Sequence, residues 1–277
     1  MQVFKRNYLM NNNKNSYFLV NILFEFKLGT HVLNHIDKTE VPLFVSFRQL
    51  RKRKMKKFNQ TGSICVDSGG FSELSLYGKW TITPEEYINE LKRLEGLDLN
   101  FEWIAQQDMM CEDIMIKKTG LNIEEHQKRT VSNFEKLRNI EHEFQVVPVL
   151  QGKTIEDYIS CYEKFESKGF DLRKEKVVGI GSVCRRNSNE EITQIIKQLH
   201  SKGLKLHGFG VKSSGLKRFG KYLKSSDSLA WSASARYLKP CLKCNKRNVK
   251  NCANCLQFAL GWRNKILSSL KKNEVII

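Results

Sequence analysis

Residues 64–74 read Ile-Cys-Val-Asp-Ser-Gly-Gly-Phe-Ser-Glu-Leu, an apolar run that ends in an acid and continues into two glycines. A short apolar run bounded by turn residues is typical of a buried strand. The glycines permit a sharp turn and a close approach of the backbone to another group, because they carry no Cβ. The stretch therefore predicts that Asp67 lies at the carboxyl end of a buried strand, beside an open approach to the backbone.

The same pattern recurs along the chain, where further apolar runs end in a polar residue or a glycine. A strand, a helix and a strand at this spacing predict βαβ units and a parallel sheet. We favour a (β/α)8 TIM-like barrel over an open doubly wound sheet, because no Gly-x-Gly-x-x-Gly fingerprint follows the first strand. Either fold gathers its ligand-binding residues at the carboxyl ends of the strands. The further runs end at Asp108, Gln151, Gly181 and Gly210, and helical patterns cover 84–91, 122–137, 154–168 and 190–202.

The charge of the chain is strongly positive. Lys and Arg number 47 against 29 Asp and Glu, which gives a net charge of +18 and a pI near 9.5. Such a field attracts polyanions, so nucleic acid is the leading partner and an anionic membrane the lesser one. A general lysine bias of the source genome is the alternative explanation.

Export and membrane insertion are not expected. The apolar run 17–24 is followed by Glu25 and is far shorter than the roughly 20 residues that a membrane span needs. No small-residue cleavage site follows it, which argues against a signal peptide. Eight cysteines without an export signal argue against a disulfide framework. We therefore predict a cytoplasmic protein without a membrane partner.

Four cysteines near the carboxyl terminus form two CxxC pairs separated by seven residues. Two such pairs can converge on one tetrahedral Zn²⁺, and four thiolates leave no open position for a catalytic water. We therefore predict a structural zinc site at Cys241, Cys244, Cys252 and Cys255. The predicted domains are the barrel over 1–238, and the four-cysteine zinc-binding segment with a C-terminal helix over 239–277. The unpaired Cys65, Cys111, Cys161 and Cys184 are expected in the core.

Several of these motifs resemble one enzyme family. Residues 67–71 resemble the Asp-Ser-Gly-Gly-Phe-Gln motif of the tRNA-guanine transglycosylases, which exchange guanine in a polynucleotide for a 7-deazaguanine base. Residues 227–236 are similar to the segment around that family's aspartate nucleophile. Residues 150–152, 179–181 and 207–210 resemble other strand ends of the family and occur in the same order.

The chain also departs from the tRNA enzymes. Ser72 replaces the Gln of the motif, His207 stands where a Met is expected, and the zinc ligands are four Cys instead of three Cys and one His. With these departures the chain looks like the deazapurine DNA-modification branch, whose members are often encoded by phages or genomic islands. The resemblance covers residues 63–255 and implies exchange of guanine in DNA for a derivative such as 7-cyano-7-deazaguanine. A tRNA-directed enzyme and a non-catalytic zinc-containing nucleic-acid-binding protein remain alternatives.

The resemblance assigns two carboxylates to the chemistry. Asp227 would be the nucleophile that holds the sugar covalently, and Asp67 the general acid/base for the departing and incoming bases. Cleavage of a glycosidic bond with retention needs such a pair. Asp67 as a turn residue, and Asp227 as a helix N-cap, are the structural alternatives.

The remaining predicted contacts concern the base and the phosphates of an extruded nucleotide. Asp108 would read the guanine-like edge, although Glu112 and Asp113 lie close enough in sequence for that assignment to slip. The predicted partners are DNA (alternatively tRNA), the 7-deazaguanine base, and a homodimer or accessory modification proteins. The predicted base-binding residues are Ser68, Gly69, Gly70, Phe71, Asp108, Gln151, Gly152, Gly181, His207 and Phe209, and the predicted backbone contacts are Arg51, Lys52, Arg53, Lys54, Lys217, Arg218, Lys221 and Arg236.

Overall fold

A computed structural model gives the architecture of the protein. The structure describes residues 24–52, 57, 59–184, 186, 190–241, 244 and 249–274. The predicted phosphate contacts Arg53 and Lys54 lie outside the described residues, as does the apolar run 17–24 except for its last residue.

The described chain contains nine strands in one sheet, and every neighbouring pair is parallel. The strand order is β5-β4-β3-β2-β1-β9-β8-β7-β6. Pro148, which has no N–H to donate, separates β5 from β6, so the two ends of this order are pieces of one interrupted strand. The sheet is therefore a nearly closed barrel, and the predicted TIM-like fold is confirmed. The strands are β1 Glu25–Gly29, β2 Leu43–Ser46, β3 Ile64–Asp67, β4 Phe101–Ala105, β5 Val146–Val147, β6 Val149–Leu150, β7 Val178–Ile180, β8 Leu206–Gly208 and β9 Ser225–Ser228.

Helices alternate with the strands and surround the barrel. Two short 3-10 helices, Thr30–His35 and Gly220–Tyr222, complete the connections. None of the helices in the described ranges is long and apolar enough to cross a membrane. The α-helices are α1 Phe47–Arg51, α2 Gly70–Tyr77, α3 Pro84–Glu95, α4 Asp113–Thr119, α5 Ile123–Asn139, α6 Ile155–Ser167, α7 Glu190–Ser201, α8 Ser213–Phe219, α9 Ala230–Ala235 and α10 Leu256–Glu274.

The main core lies between the barrel and its helices. Alternate residues of β1 show this arrangement. Phe26 and Leu28 are fully buried in this core layer, whereas Lys27 is buried outside it, beside Trp103. Burial of each such apolar side chain contributes about 1.5–3 kcal/mol. Helix α10 belongs to the same layer, because the ring of Trp262 lies 5.6 Å from that of Phe26.

The strand β9 is built from polar residues, which is why its sequence does not predict a strand. All four of its side chains are buried, and each has a polar contact. Ser226 Oγ donates to the Gly208 carbonyl at 2.9 Å, and Ser228 Oγ accepts from the Ala230 N–H at 3.1 Å. Because a buried polar group costs little once it is hydrogen-bonded, the neighbouring strand and turn allow this segment to lie inside the barrel.

A candidate active site at the carboxyl end of the barrel

The strand ends that the sequence singled out meet at one end of the barrel. Asp67 ends β3, Asp227 lies in β9, and Gln151 and Gly181 directly follow β6 and β7. Asp108 follows β4 after two buried glutamines. All of these strands are parallel, so their carboxyl ends share one face, which is the face where barrel enzymes carry their active sites.

The two glycines after Asp67 set the shape of this face. Gly69 has a φ of 88°, in the left-handed region that side chains rarely adopt, and it lets the chain turn directly into α2. A Cβ on Gly70 would lie 3.3 Å from Asp108 Oδ1, so these two strand ends are in close contact. Ser68 is buried, whereas the Phe71 ring is 42% exposed at the start of α2.

Asp67 is held in an environment that opposes its ionisation. Loss of hydration raises the pKa of Asp67 to about 7, and the Gly69 backbone N–H works in the opposite direction. The negative charges of Asp108 and Asp227, which lie at the same end of the barrel, raise that pKa further. A carboxyl group that titrates near neutral pH can both donate and accept a proton.

Asp108 forms part of a buried polar network. Gln151 Nε2 donates to Asp108 Oδ2, and Ser182 Oγ donates to Gln151 Oε1 at 2.7 Å. The Cys111 N–H in turn donates to Ser182 Oγ at 2.9 Å. Burial raises the pKa of Asp108 to about 6, while the hydrogen bond from Gln151 lowers it. A cavity of about 220 Å³ opens beside Ser182 and is also lined by Gly152.

Sequence reasoning missed Ser182, although it directly follows the predicted Gly181. Ser182 has a φ of 55°, and only one other residue of the described chain that is not glycine has a positive φ. Strained backbone of this kind is often found at functional sites. The one available sequence signal was the polar residue next to a glycine at a strand end.

Gly181 fixes the position of Gln151, which gives a first testable prediction. A Cβ at Gly181 would lie 2.0 Å from Gln151 Nε2, so Gly181→Ala should displace this side chain from Asp108 and Ser182. We expect a loss of about 1–3 kcal/mol in the free energy of unfolding, as for other overpacked sites. Gly261→Ala in α10 is the control, because its Cβ would meet nothing within 4 Å. Chemical denaturation that shows equal stability for both variants would contradict the prediction.

Asp227 is fixed from two sides. The Gly210 N–H donates to Asp227 Oδ1 at 2.9 Å, and His207 Nε2 lies 3.5 Å from the same oxygen. The Asp227 side chain is about 10% exposed. One carboxylate oxygen therefore faces two protein nitrogens, and Oδ2 is not engaged by either of them.

His207 lies inside an aromatic cluster beneath this carboxylate. Its ring centroid is 5.3 Å from that of Phe44, 5.0 Å from Trp103 and 4.9 Å from Phe209. His207 is fully buried, whereas Phe209 is partly exposed. Of these two predicted base-binding residues, Phe209 is thus the one with an accessible surface.

Close in sequence to the predicted phosphate contacts Arg51 and Lys52, Arg48 makes a contact within the fold that the sequence did not predict. Arg48 Nη1 lies 2.7 Å from Glu73 Oε1, which ties α1 to α2. Glu73 is buried and also accepts from the N–H and hydroxyl of Thr81 at 2.9 and 2.5 Å. This ion pair holds the helix that follows the two glycines.

The four carboxyl-terminal cysteines come together. Their sulfur atoms all lie within 4.8 Å of one another, and Cys241 Sγ is 3.8 Å from Cys255 Sγ. Four thiolates around a tetrahedral metal with bonds of about 2.3 Å would be about 3.8 Å apart. The Cys241 N–H also donates to Cys252 Sγ at 3.1 Å, a contact that stabilises a thiolate. This cluster could hold one metal ion.

Comparison with known families decides the relationship. The family DpdA, described as DeoxyPurine in DNA protein A, matches residues 23–276. The chain belongs to the DpdA family. Membership implies a role in deazapurine modification of DNA. A separate search of curated proteins found no significant match to the chain. The predicted relationship to the deazapurine DNA-modification branch is confirmed.

The basic residues predicted to contact phosphates are dispersed over the surface of the barrel. Arg51 and Lys52 are exposed at the end of α1, and Arg236 is exposed just after α9. Lys221 precedes β9 and therefore lies towards the amino end of that strand, away from Asp227. The exposed Lys217 and Arg218 belong to α8, and Arg218 Nη1 lies 3.6 Å from Glu190.

Proposed function

We propose that this DpdA protein exchanges guanine in DNA for a 7-deazaguanine derivative such as 7-cyano-7-deazaguanine. The main support is that Asp67 and Asp227 lie at the same end of the barrel and interact electrostatically. A protein that only binds nucleic acid does not need two carboxylates held in one water-poor site, since burying them costs free energy. Family membership favours DNA over tRNA as the polymer.

In the proposed first displacement, an Asp227 carboxylate oxygen attacks C1′ of the deoxyribose. The C1′–N9 bond breaks, its electron pair passes to guanine, and Asp67 supplies the proton that neutralises the leaving base. The sugar is then held as a glycosyl ester of Asp227. A pKa of about 7 suits Asp67 to this step, because a general acid works best when its pKa is near the working pH.

In the second displacement the incoming base loses a proton to Asp67, and its nitrogen attacks C1′. The C1′–oxygen bond breaks and its electron pair returns to Asp227 as a carboxylate. Asp67 has regained the proton that it gave up, so the site is ready for another cycle. Two inversions at C1′ leave the configuration of the sugar unchanged.

For base recognition we propose that Asp108 accepts hydrogen bonds from the N–H groups of the guanine-like edge. Gln151 already donates to this carboxylate and would orient it. Gly181 leaves room for the Gln151 side chain, and Gly152 lines the adjacent cavity. The partly exposed rings of Phe71 and Phe209 offer surfaces for stacking. The target nucleotide would leave the DNA stack to reach these groups, with exposed Arg51, Lys52, Lys217, Arg218 and Arg236 available to the phosphates.

Incorporation of labelled base tests the proposal. Purified protein would be incubated with radiolabelled guanine or 7-cyano-7-deazaguanine. Separate reactions would contain duplex DNA, single-stranded DNA or bulk tRNA. We expect the label to remain with the DNA when the DNA is precipitated with acid. Enzymatic digestion of that DNA should then release the label as a nucleoside. Label in tRNA alone would assign the same chemistry to the other polymer. An absence of label everywhere, with DNA binding retained, would refute the enzymatic proposal.

We propose that the cysteine cluster binds Zn²⁺ and that residues 239–277 form a zinc-binding segment and helix attached to the barrel. A four-thiolate zinc ion would act as a structural cross-link between Cys241, Cys244, Cys252 and Cys255. Its binding free energy would stabilise the folded state only, because the unfolded chain does not preform the site.

Loss of one ligand should therefore destabilise the protein. For Cys252→Ser we expect loss of bound zinc and a fall in Tm of about 5 °C or more, which corresponds to about 2 kcal/mol for a chain of this size. Elemental analysis and thermal unfolding measure both effects. Cys184→Ser, outside the cluster, is the matched control and should keep one zinc per chain. Unchanged zinc content in Cys252→Ser would contradict the assignment of the ligands.

A further inference from the structure

His207 has one ring nitrogen that the fold satisfies and one that it aims at Asp227. Nδ1 lies 2.8 Å from Ser225 Oγ, whereas Nε2 lies 3.5 Å from Asp227 Oδ1. The side chain is fully buried, and Nε2 has no hydrogen-bond partner of ordinary geometry among the described residues. A buried polar nitrogen without a partner is costly, so its position beside a carboxylate calls for a functional reason.

The neighbours of the ring select one tautomer. An ionised Asp227 only accepts hydrogen bonds, so the nitrogen facing it must carry the proton, which places that proton on Nε2. Nδ1 then has a free lone pair, and the Ser225 hydroxyl can donate to it. The alternative tautomer would point the Nε2 lone pair at a carboxylate and would be repelled.

Burial favours the neutral form of the ring, and the charged groups around it act in both directions. Burial is the largest influence and lowers the pKa of His207, whereas Asp227 raises it. Lys27 of β1 lowers it further, and Glu25 of the same strand raises it. The buried Lys27 ammonium lies 3.1 Å from Glu102 of β4, and it also pairs with Glu25. His207 can therefore donate a hydrogen bond without becoming an imidazolium.

We propose that His207 is a positioning residue, which donates from Nε2 to Asp227 Oδ1 and so leaves Oδ2 to attack C1′. The Gly210 N–H already occupies the same oxygen, and a second donor there would prevent rotation of the carboxylate. The contact of 3.5 Å would shorten when DNA enters, as catalytic hydrogen bonds often do. This inference rests on the proposed role of Asp227 as the nucleophile.

The arrangement helps both displacements. When Oδ2 bonds to C1′, Oδ1 becomes the carbonyl oxygen of the ester, and its two donors remain in place. When the C1′–Oδ2 bond breaks in the second displacement, the returning negative charge is shared with an oxygen that already accepts two hydrogen bonds. His207 neither gains nor loses a proton in either step, and it contacts no substrate atom.

Two substitutions separate the hydrogen bond from the packing. His207→Met fills the space without a donor, whereas the amide nitrogen of His207→Gln can replace Nε2. We expect His207→Met to lower kcat for base exchange by about tenfold to a hundredfold, the rate equivalent of one hydrogen bond to a charged group. KM for the free base should not change, and His207→Gln should recover most of kcat. Equal kcat for wild type and His207→Met would overturn the proposal.

A second measurement does not depend on activity. The ring-nitrogen chemical shifts of isotopically labelled His207 report its tautomer. Because burial lowers the pKa of His207 below the ordinary 6.5, we expect a neutral ring protonated at Nε2 from about pH 7 to pH 8. A ring protonated at Nδ1, or a charged ring, would refute the inference even if no exchange were detected. Conversely, an inactive Asp227→Asn together with a fully active His207→Met would retain the proposed function and reject only the role of His207. Full activity of Asp227→Asn would refute the nucleophile itself.

Discussion

Asp227→Asn is expected to lower the rate of base exchange by about four orders of magnitude or more, as loss of a covalent nucleophile does in other enzymes. The amide oxygen can still accept from the Gly210 N–H, so the shape of the site should survive the change. An amide is a very poor nucleophile towards C1′, however, and it cannot form the glycosyl ester. Transfer of labelled base into DNA measures the loss.

The covalent intermediate gives this prediction a second readout. Wild-type protein that is mixed with DNA and denatured should yield a protein–DNA adduct, and Asp227→Asn should yield none while still binding DNA. Asp37→Asn is the matched control, because Asp37 is exposed in the loop that leads to the amino end of β2, away from the site. Its adduct and its exchange rate should match those of wild type. An adduct in Asp227→Asn would require another nucleophile.

The sequence predicts the parts of this fold whose strands are apolar. The runs that end near Asp67, Asp108 and Gln151 are apolar in the sequence and become strands, because their side chains are buried in the barrel. The polar β9 and the charged alternation of β1 give no such signal. Their burial depends on partners from elsewhere in the chain, such as Glu102 for Lys27 and His207 for Ser225.

The same distinction holds for the candidate site. Asp67, Asp108 and Asp227 were predicted from a motif, and the parallel sheet explains why strand ends far apart in sequence lie at one face. The positions of Ser182 and Lys27 depend on side-chain contacts that no local pattern encodes. The roles of all these residues stay predictions until the substitutions are made.

Asp67→Asn is expected to reduce base exchange by about a hundredfold to ten-thousandfold, the usual contribution of a general acid/base. With its pKa near 7, Asp67 should also give the wild-type pH–rate profile an ionisation in the neutral range. The amide cannot titrate, so the residual activity of the variant should lack that ionisation. Rates measured between pH 5 and pH 9 test both statements.

Asp67→Asn should increase the stability of the folded protein although it lowers the activity. In the unfolded chain Asp67 titrates near 3.8, whereas in the folded protein its pKa is about 7. Between these values the folded protein binds more protons, so the free energy of unfolding falls as the pH rises through this window and levels off above it. Asp67→Asn removes this contribution. Relative to wild type, we expect the variant to gain on the order of 2 kcal/mol between pH 5 and pH 8.

Chemical denaturation of wild type, Asp67→Asn and Asp37→Asn at several pH values measures this gain. Asp37 is exposed, so its replacement should change stability little. A stability gap that does not widen with pH would mean that Asp67 ionises normally, and the general acid/base role would lose its support. A variant that is more stable at pH 8 yet nearly inactive would show that the fold tolerates a partly buried carboxylate at a cost in stability because the reaction requires it.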